Sequence, residues 1–484
     1  MVLFVFFLLL SYPVLFLYGE EVTSQEGVVR YERKYLTYYP LRDRVGVSQE
    51  VLGRIEGVVR KGVEQGRFDT NPIPSSLKTL SIDEVAKLTK EYIDRVKLEK
   101  ARKEAEWDIT YKDFRVTAED LRRIANSAYL YAPELLQFVE KKETIYVKEG
   151  KAIVPVDHYK FFVEVFVRFY RVEFSTGTPV LVAEVVGKGE GEDTTSLFNP
   201  PPQAREKAFR EALDLLHLDL RTKVRSVSEF RLKANVDRAT WNGAYFSLTK
   251  KDGLPLGTLL KVEEVWEGGK VEELGYLIVR EVGDGEVEKQ SYAQIVAVKG
   301  WKLTGGEIIT EVPQKGIRVG IAPFFQMISA VADSEELQGE RGYGIKVLFS
   351  RAFEEETQIP GFSGEGRVNF LFLKNYFELS GEVGAGILRS FRRLFFGGGV
   401  RVGYLRSFTE YRGSSARVDS FGFTPYGLLL LWISPSFSFE VEGGYRFYLP
   451  SSTLVVEDET LEVPKGFRYN PSGLYGSGGV SFRF

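Results

Sequence analysis

Leu474–Phe484 reads LYGSGGVSFRF. In an extended strand successive side chains point to opposite faces. Leu474, Val480, Phe482 and Phe484 then share one face, with Gly476 and Gly478 between them, while Tyr475, Ser477, Gly479, Ser481 and Arg483 share the other. One face is apolar and the other polar, so the preceding sequence has to supply neighbours suited to both.

It does. From Lys315 onward, stretches of about ten residues alternate in the same way, the length that crosses a bilayer at a tilt. Eight are recognisable: 316–326, 343–353, 366–373, 376–388, 394–405, 421–433, 436–449 and 474–484. The clearest is 436–449, with Phe437, Phe439, Val441, Tyr445, Phe447 and Leu449 opposite Ser438, Glu440, Glu442, Gly444, Arg446 and Tyr448. A soluble sandwich would have to bury the charges in an apolar core or expose the aromatics, and both are costly. The pattern and the terminal aromatic resemble those of bacterial outer-membrane β-barrels. The resemblance implies an eight-stranded antiparallel transmembrane barrel over 315–484, in contact with outer-membrane lipid. It also implies that Phe482 and Phe484 form an assembly signal read by the barrel assembly machinery.

The inward positions then carry Arg318, Lys346, Arg367, Arg401, Arg446 and Arg483 against Glu378, Glu382, Glu440 and Glu442. Eight strands leave an interior that side chains fill, so this ladder is expected to pair and close the lumen. Links 327–342, 406–420 and 450–473 fit long external loops, and Ser434-Pro435 fits an internal turn. Two links depart from the scheme: 354–365 is long for an internal turn, and Lys374-Asn375 is short for an external loop.

Of the 484 residues none is cysteine, which excludes disulfides and thiolate chemistry, and the net charge of -3 offers no basic field for nucleic acid. The abundance of Lys, Arg and Glu beside two histidines and two methionines is compatible with a heat-adapted, thermophile source. Residues 1–19 read as a signal peptide, with a single transmembrane anchor as the alternative.

Residues 20–79 show poor periodicity and are expected to be irregular. Residues 80–226 are expected to form an α/β domain. Ser81-Ile82-Asp83-Glu84 is a capping box opening a helix, a second helix is expected from Thr117, and a third after Ala132-Pro133. A hairpin follows over Lys151–Val186, then a Gly-rich stretch, Gly187–Glu192, expected to be a turn. The next helix sets Ala204, Ala208, Ala212 and Leu215 or Leu216 on one side. Hairpin, G-x-G exit and alanine-spaced helix together resemble the curli-secretion lipoprotein-like domains, which imply no catalytic residues.

Residues 227–314 are expected to be a separate all-β unit, with strands at 231–236, 243–248, 258–265, 273–282, 291–298 and 307–312 divided by turn residues. Lys251-Asp252-Gly253-Leu254-Pro255-Leu256-Gly257-Thr258 is similar to the opening of SH3-like barrels in the flagellar assembly protein T family, with threonine where aspartate is common.

No histidine lies in 316–484, which excludes a Ser/His hydrolase there. His158 and His217 read as structural or surface residues, and Glu440 and Glu442 as ion-pair partners of neighbouring arginines. No catalytic residue, metal site or cofactor is expected. The chain reads as a multidomain, non-enzymatic outer-membrane protein of Gram-negative type, anchoring two periplasmic domains for envelope structure or assembly with envelope protein partners. A narrow or gated pore is one alternative; an adhesin or receptor using loops 327–342 and 450–473 is another.

Overall fold

A computed structural model describes residues 31, 33–99, 109–111, 114–116, 129–149, 152–173, 176, 178–196, 199–266, 270–285, 290–299, 303–332, 335–336, 340–373, 376–411, 414–449, 453–456, 459–462 and 468–484. The signal-peptide reading and the helix expected at Thr117 fall outside these residues.

The first unit runs β1 (Lys34–Tyr38), β2 (Arg42–Asp43), α1 (Gln49–Glu64), β3 (Phe68–Pro72), α2 (Ile82–Glu99), β4 (Ile109–Tyr111), β5 (Phe114–Val116), β6 (Tyr129–Glu149), β7 (Ala152–Glu173), β8 (Thr178–Thr194) and α3 (Pro201–Ser226). Its main sheet has the order β3-β1-β6-β7-β8, with β1 parallel to both neighbours. On one face, Phe161, Val163, Val165, Val167 and Phe169 of β7 are buried under Ile55, Val59 and Val63 of α1 and the alanine side of α3. Near one end of the sheet, α2 packs through Val85, Ala86 and Leu88 with Leu130 and Val172. The capping box forms as expected: Ser81 N donates to Glu84 Oε2 at 2.9 Å, and Glu84 N donates to Ser81 Oγ at 3.3 Å.

Three expectations are corrected here. Residues 34–77 are an integral part of the unit, because β1 pairs with both β3 and β6 and α1 supplies core. No helix follows Ala132-Pro133. Pro133 lies inside β6 opposite Val167, between the residues paired with β1 (129–131) and those paired with β2 (134–135), so its missing N–H falls where that edge has no partner. The stretch Gly187–Glu192 is β8 itself. A Cβ on Gly189 would lie 1.9 Å from the Ala212 carbonyl oxygen, and one on Gly191 would lie 2.2 Å from that of Ala208. The glycines therefore form a groove into which the alanines of α3 settle.

The second unit is a closed six-stranded barrel of β9 (Lys233–Ala239), β10 (Gly243–Phe246), β11 (Leu259–Val265), β12 (Val271–Glu281), β13 (Ser291–Val298) and β14 (Ile308–Val312), in the order β10-β13-β12-β11-β14-β9. Its interior holds Leu232, Phe246, Leu260, Leu277, Ile295 and Ile309. It is tied to the first unit by Arg67, which donates to both oxygens of Glu311 at 2.7 and 2.9 Å and to the Phe230 carbonyl at 3.2 Å. Arg67 and Glu311 are both buried. Burial pushes the Glu311 carboxyl pKa up, but Arg67 beside it outweighs that and holds it below the usual carboxylate range.

The third unit comprises β15 (Ile317–Ala332), β16 (Glu335–Glu336), β17 (Glu340–Ala352), α4 (Glu354–Thr357), β18 (Phe362–Leu373), β19 (Tyr376–Phe391), β20 (Leu394–Tyr411), β21 (Ser414–Ser434), β22 (Phe437–Tyr448), β23 (Thr453–Val456), β24 (Glu459–Glu462), β25 (Arg468–Asn470) and β26 (Gly473–Arg483). Strands β15, β17 to β22 and β26 pair antiparallel with their neighbours and close into an eight-stranded barrel. All eight expected strands are present, several longer than expected. The β20–β21 ladder continues out to Tyr411 and Ser414, so 406–420 is mostly paired strand rather than loop. Lys374-Asn375 lies outside the described residues.

Two expected outcomes follow. Gly189→Val should cost about 1–3 kcal/mol by overpacking the groove, whereas Gly53→Ala, on α1 with open space around it, should stabilise by about 0.5–1 kcal/mol; urea unfolding followed through the helical signal measures both. Arg67→Met should cost about 3–5 kcal/mol by leaving Glu311 with Arg225, 3.9 Å away, as its remaining cation. In the parent chain, the Glu311 contribution should be present above the ordinary glutamate pKa and be lost as pH falls through its depressed folded value. Comparing unfolding midpoints of parent and variant across acid pH checks the sign.

Candidate functional site

Inside the eight-stranded barrel, inward positions bring Arg318, Lys346, Arg367, Arg401 and Arg446 together with Glu365, Glu378, Glu382, Glu440 and Glu442, all nearly or fully buried. The formal charges of these ten groups cancel. Glu442 is the hub. Arg401 donates to both its oxygens, at 2.9 and 3.0 Å, while Arg367, Lys346 and Tyr475 reach it at 2.5, 3.2 and 2.7 Å. On one side of the hub, Arg401 also binds Glu365 at 2.7 Å, Tyr426 donates to Glu365 at 2.6 Å, and Arg318 lies 3.6 Å from Glu365. On the other, Arg367 binds Glu382 at 2.6 Å, and Arg446 contacts Glu378 at 2.7 Å and Glu382 at 3.0 Å, while Gln326, Ser380 and Tyr448 accept further hydrogen bonds from its guanidinium. Lys346 lies 3.3 Å from Glu440. The Arg401 guanidinium stacks 3.5 Å from the centroid of Tyr426.

The outer wall is the reverse. Ile321, Phe325, Phe349, Val383, Val402, Phe439, Val441 and Phe482 are all exposed. Phe484 is exposed as well, and its backbone N–H donates to the Ile317 carbonyl at 2.9 Å, tying the end of β26 to the start of β15.

Nine of the ten ladder residues expected from the sequence are in this network. Arg483 is not: it makes no ion pair among the described residues and lines a cavity at the end of the barrel nearest the second unit. The reason is its place at the last paired position of β26, beyond the carboxylates. Glu365 was missed because the strand was read as starting at Gly366, although alternation with Arg367 would have identified it. Tyr426 was missed because an aromatic side chain in a barrel strand reads as an outward one.

The same end of the barrel meets the second unit. Inward-facing Leu428, Leu430 and Trp432 of β21, with Phe395, pack against Ile278, Val296 and Ala297 on the outside of the six-stranded barrel. Trp432 meets Tyr276 edge-on with ring centroids 5.4 Å apart. Around this apolar contact Arg280 donates to Ser390 at 2.9 Å, Gln294 donates to the Ser390 carbonyl at 2.6 Å, and Arg392 donates to the Trp241 carbonyl at 3.0 Å. This explains why β21 is apolar on both faces near its end. The second unit covers the mouth.

The overlong link 354–365 has a matching role. Glu354 lies 3.4 Å from Arg280 and accepts from Gly361 N at 2.7 Å, while Glu355 lies 3.1 Å from Arg221 and 3.5 Å from Arg225 of α3. The link therefore contacts both other units. The loop containing Gly253 and Gly257 meets it: both glycines have positive φ, and a Cβ would strike Arg67 at the first and Glu354 at the second. Burial, then the neighbouring Arg67, pushes the Arg225 pKa down to about 10, leaving it charged at neutral pH.

His158 and His217 lie outside these networks, in the first unit. His158 Nδ1 is 3.0 Å from Thr194 Oγ1. His217 is held below the usual histidine pKa by burial and by Arg221. No group of residues suited to hold a metal ion occurs among the described residues.

No known protein family matches the chain, and no curated protein matches it. Among solved structures it is similar to Neisserial surface protein A, at 13% identity over 35% of this chain and 97% of that one, with a TM-score of 0.26. It is similar to Ail, the attachment invasion locus protein of Yersinia pestis, at 14% identity over 34% and 98%, with a TM-score of 0.23. A major outer membrane protein from Thermus thermophilus matches at 12% identity over 34% and 99%, with a TM-score of 0.25. The barrel assignment rests on the chain's own strand pairing and burial.

Removing one side of a buried ion pair leaves the other uncompensated. Glu442→Gln, which leaves Arg367, Arg401 and Lys346 in excess, should destabilise the refolded barrel by about 3–5 kcal/mol. Val402→Ala on the outer wall should cost about 1 kcal/mol or less, since that side chain is largely exposed. Urea unfolding in detergent micelles compares the two.

Proposed function

We propose that the chain is a non-enzymatic outer-membrane protein whose closed barrel anchors two periplasmic units, and that it serves envelope structure or assembly. The observation that carries this reading is the cancelling ten-charge network inside an apolar outer wall. A lipid-facing exterior with a polar, filled interior accommodates both at low cost, whereas a water-facing exterior would expose an aromatic surface far larger than soluble proteins carry. Phe482 and Phe484 are proposed to be recognised by the barrel assembly machinery during insertion.

The six-stranded unit at the mouth is on this reading periplasmic, as is the α/β unit joined to it through Arg67 and Glu311. Their resemblance to SH3-like and curli-secretion lipoprotein-like domains points to protein partners in the envelope, taken on sheet edges and faces. A conducting pore is the less favoured reading, since ion pairs fill the lumen and Leu428, Leu430 and Trp432 close its end. The adhesin alternative has no specific observation in its favour.

Full-length protein refolded into planar bilayers should give no steady conductance steps, and should float with outer-membrane fractions when expressed in a Gram-negative host. Steady steps would overturn the plugged-lumen reading, and recovery in the soluble fraction would overturn the membrane one.

A further inference from the structure

A cavity of about 140 Å³ lies where the three units meet, lined among others by Arg280, Arg318, Glu354, Ser363, Phe395 and Arg483. Its polar groups are unevenly paired. Arg318 is almost wholly buried and donates through Nε to Ser350 at 3.1 Å, yet Nη1 and Nη2 have no hydrogen-bond partner, the nearest carboxylate being Glu365 at 3.6 Å. The Ser363 hydroxyl, also buried, has none either. Arg483 contributes a second guanidinium without an ion pair among the described residues. Arg280, by contrast, is committed to Glu354 and Ser390. A buried guanidinium with unbonded N–H groups carries a large desolvation cost, and planar guanidinium groups match the oxygens of phosphate two at a time.

Four carboxylates, Glu311, Glu354, Glu355 and Glu356, also line the cavity, and of these Glu354 carries a buried oxygen with no hydrogen-bond partner. Glu354 Oε1 serves Gly361 N and Arg280, while Oε2 is buried without a hydrogen-bond partner. A carboxylate oxygen would repel a fully ionised oxyanion. Against the monohydrogen form of phosphate, which keeps one O–H, it is instead an acceptor for that proton.

We propose that this junction binds hydrogen phosphate, with Arg318, Arg483 and Ser363 donating to its oxygens and Glu354 Oε2 accepting its O–H. Sulfate has the same shape but no proton to donate at neutral pH, so the site discriminates against it by leaving Glu354 opposed to a bare oxygen. All four groups come from the third unit, so the bound anion ties β15, β18 and β26 to the link that begins at Glu354. The proposal stands on the polar groups of the junction and does not depend on the membrane reading.

Isothermal titration of the full chain, refolded in detergent at neutral pH, tests it with inorganic phosphate and with sulfate. Phosphate should bind at one site and sulfate about tenfold more weakly or worse. Arg483→Gln should weaken phosphate about tenfold. Glu354→Gln should remove the preference over sulfate. Ser363→Ala, a smaller change, guards against a folding defect in the arginine variant, and should weaken phosphate while retaining the parent's circular dichroism spectrum and unfolding midpoint. Glycerol 3-phosphate as a third ligand separates the two sources of this chemistry: tight binding assigns the site to the phosphate end of a larger molecule, and rejection assigns it to the free ion. No phosphate binding at millimolar concentration, equal affinity for sulfate, or undiminished binding in both Arg483→Gln and Ser363→Ala would overturn the proposal.

Discussion

Ten ionised side chains packed into the interior of an eight-stranded barrel are tolerable only if each lies against a counter-charge. Glu442 shows how closely this is met: its two oxygens take contacts from Arg401, Arg367, Lys346 and Tyr475. Each of those groups comes from a different strand. The network therefore fixes the register of β17, β18, β20, β22 and β26 against one another, because a slip of one residue would turn every charge outward and every outer aromatic inward. Outer wall and inner plug are two consequences of one alternation.

Along β21 the inner face turns apolar toward the second unit. Leu428, Leu430, Trp432 and Phe395 would be exposed at the mouth were they not covered by Ile278, Val296 and Ala297. Docking of the six-stranded barrel is thus a burial problem solved locally, with Arg280, Gln294 and Ser390 setting its orientation. The α/β unit is then held indirectly through Arg67 and Glu311, and directly through Glu355. One short link and one glycine-bearing loop carry much of the connection among three units.

Much of this was legible in the sequence. Period-two alternation located all eight strands of the large barrel and assigned Glu440, Glu442 and Arg446 to the inner face without any contact information, while the spacing of turn residues located all six strands of the small one. What escaped was set by tertiary context. Gly187, Gly189 and Gly191 read as a turn because glycine usually marks one; only the alanine face of α3 lying on them reveals a groove within a strand. Pro133 read as a helix start because the gap between β1 and β2 that accommodates it is a property of the sheet. The excess length of 354–365 was visible as an anomaly, but its use as a docking element depends on Arg221, Arg225 and Arg280, which lie far away in sequence. Arg483 fitted the alternation and still fell outside the network, since alternation gives the face and not the depth.

The central claim is that one side of each long strand meets lipid while the other meets a closed ionic interior. Because the chain has no cysteine, single cysteines can be introduced along β20 at successive positions 398–404 and spin-labelled in liposomes, with accessibility read against oxygen and a water-soluble nickel complex. The account predicts a period of two, with labels at Val400 and Val402 open to oxygen and shielded from nickel, and their neighbours shielded from both. Nickel access at Val400 and Val402, or no alternation along the strand, would contradict it.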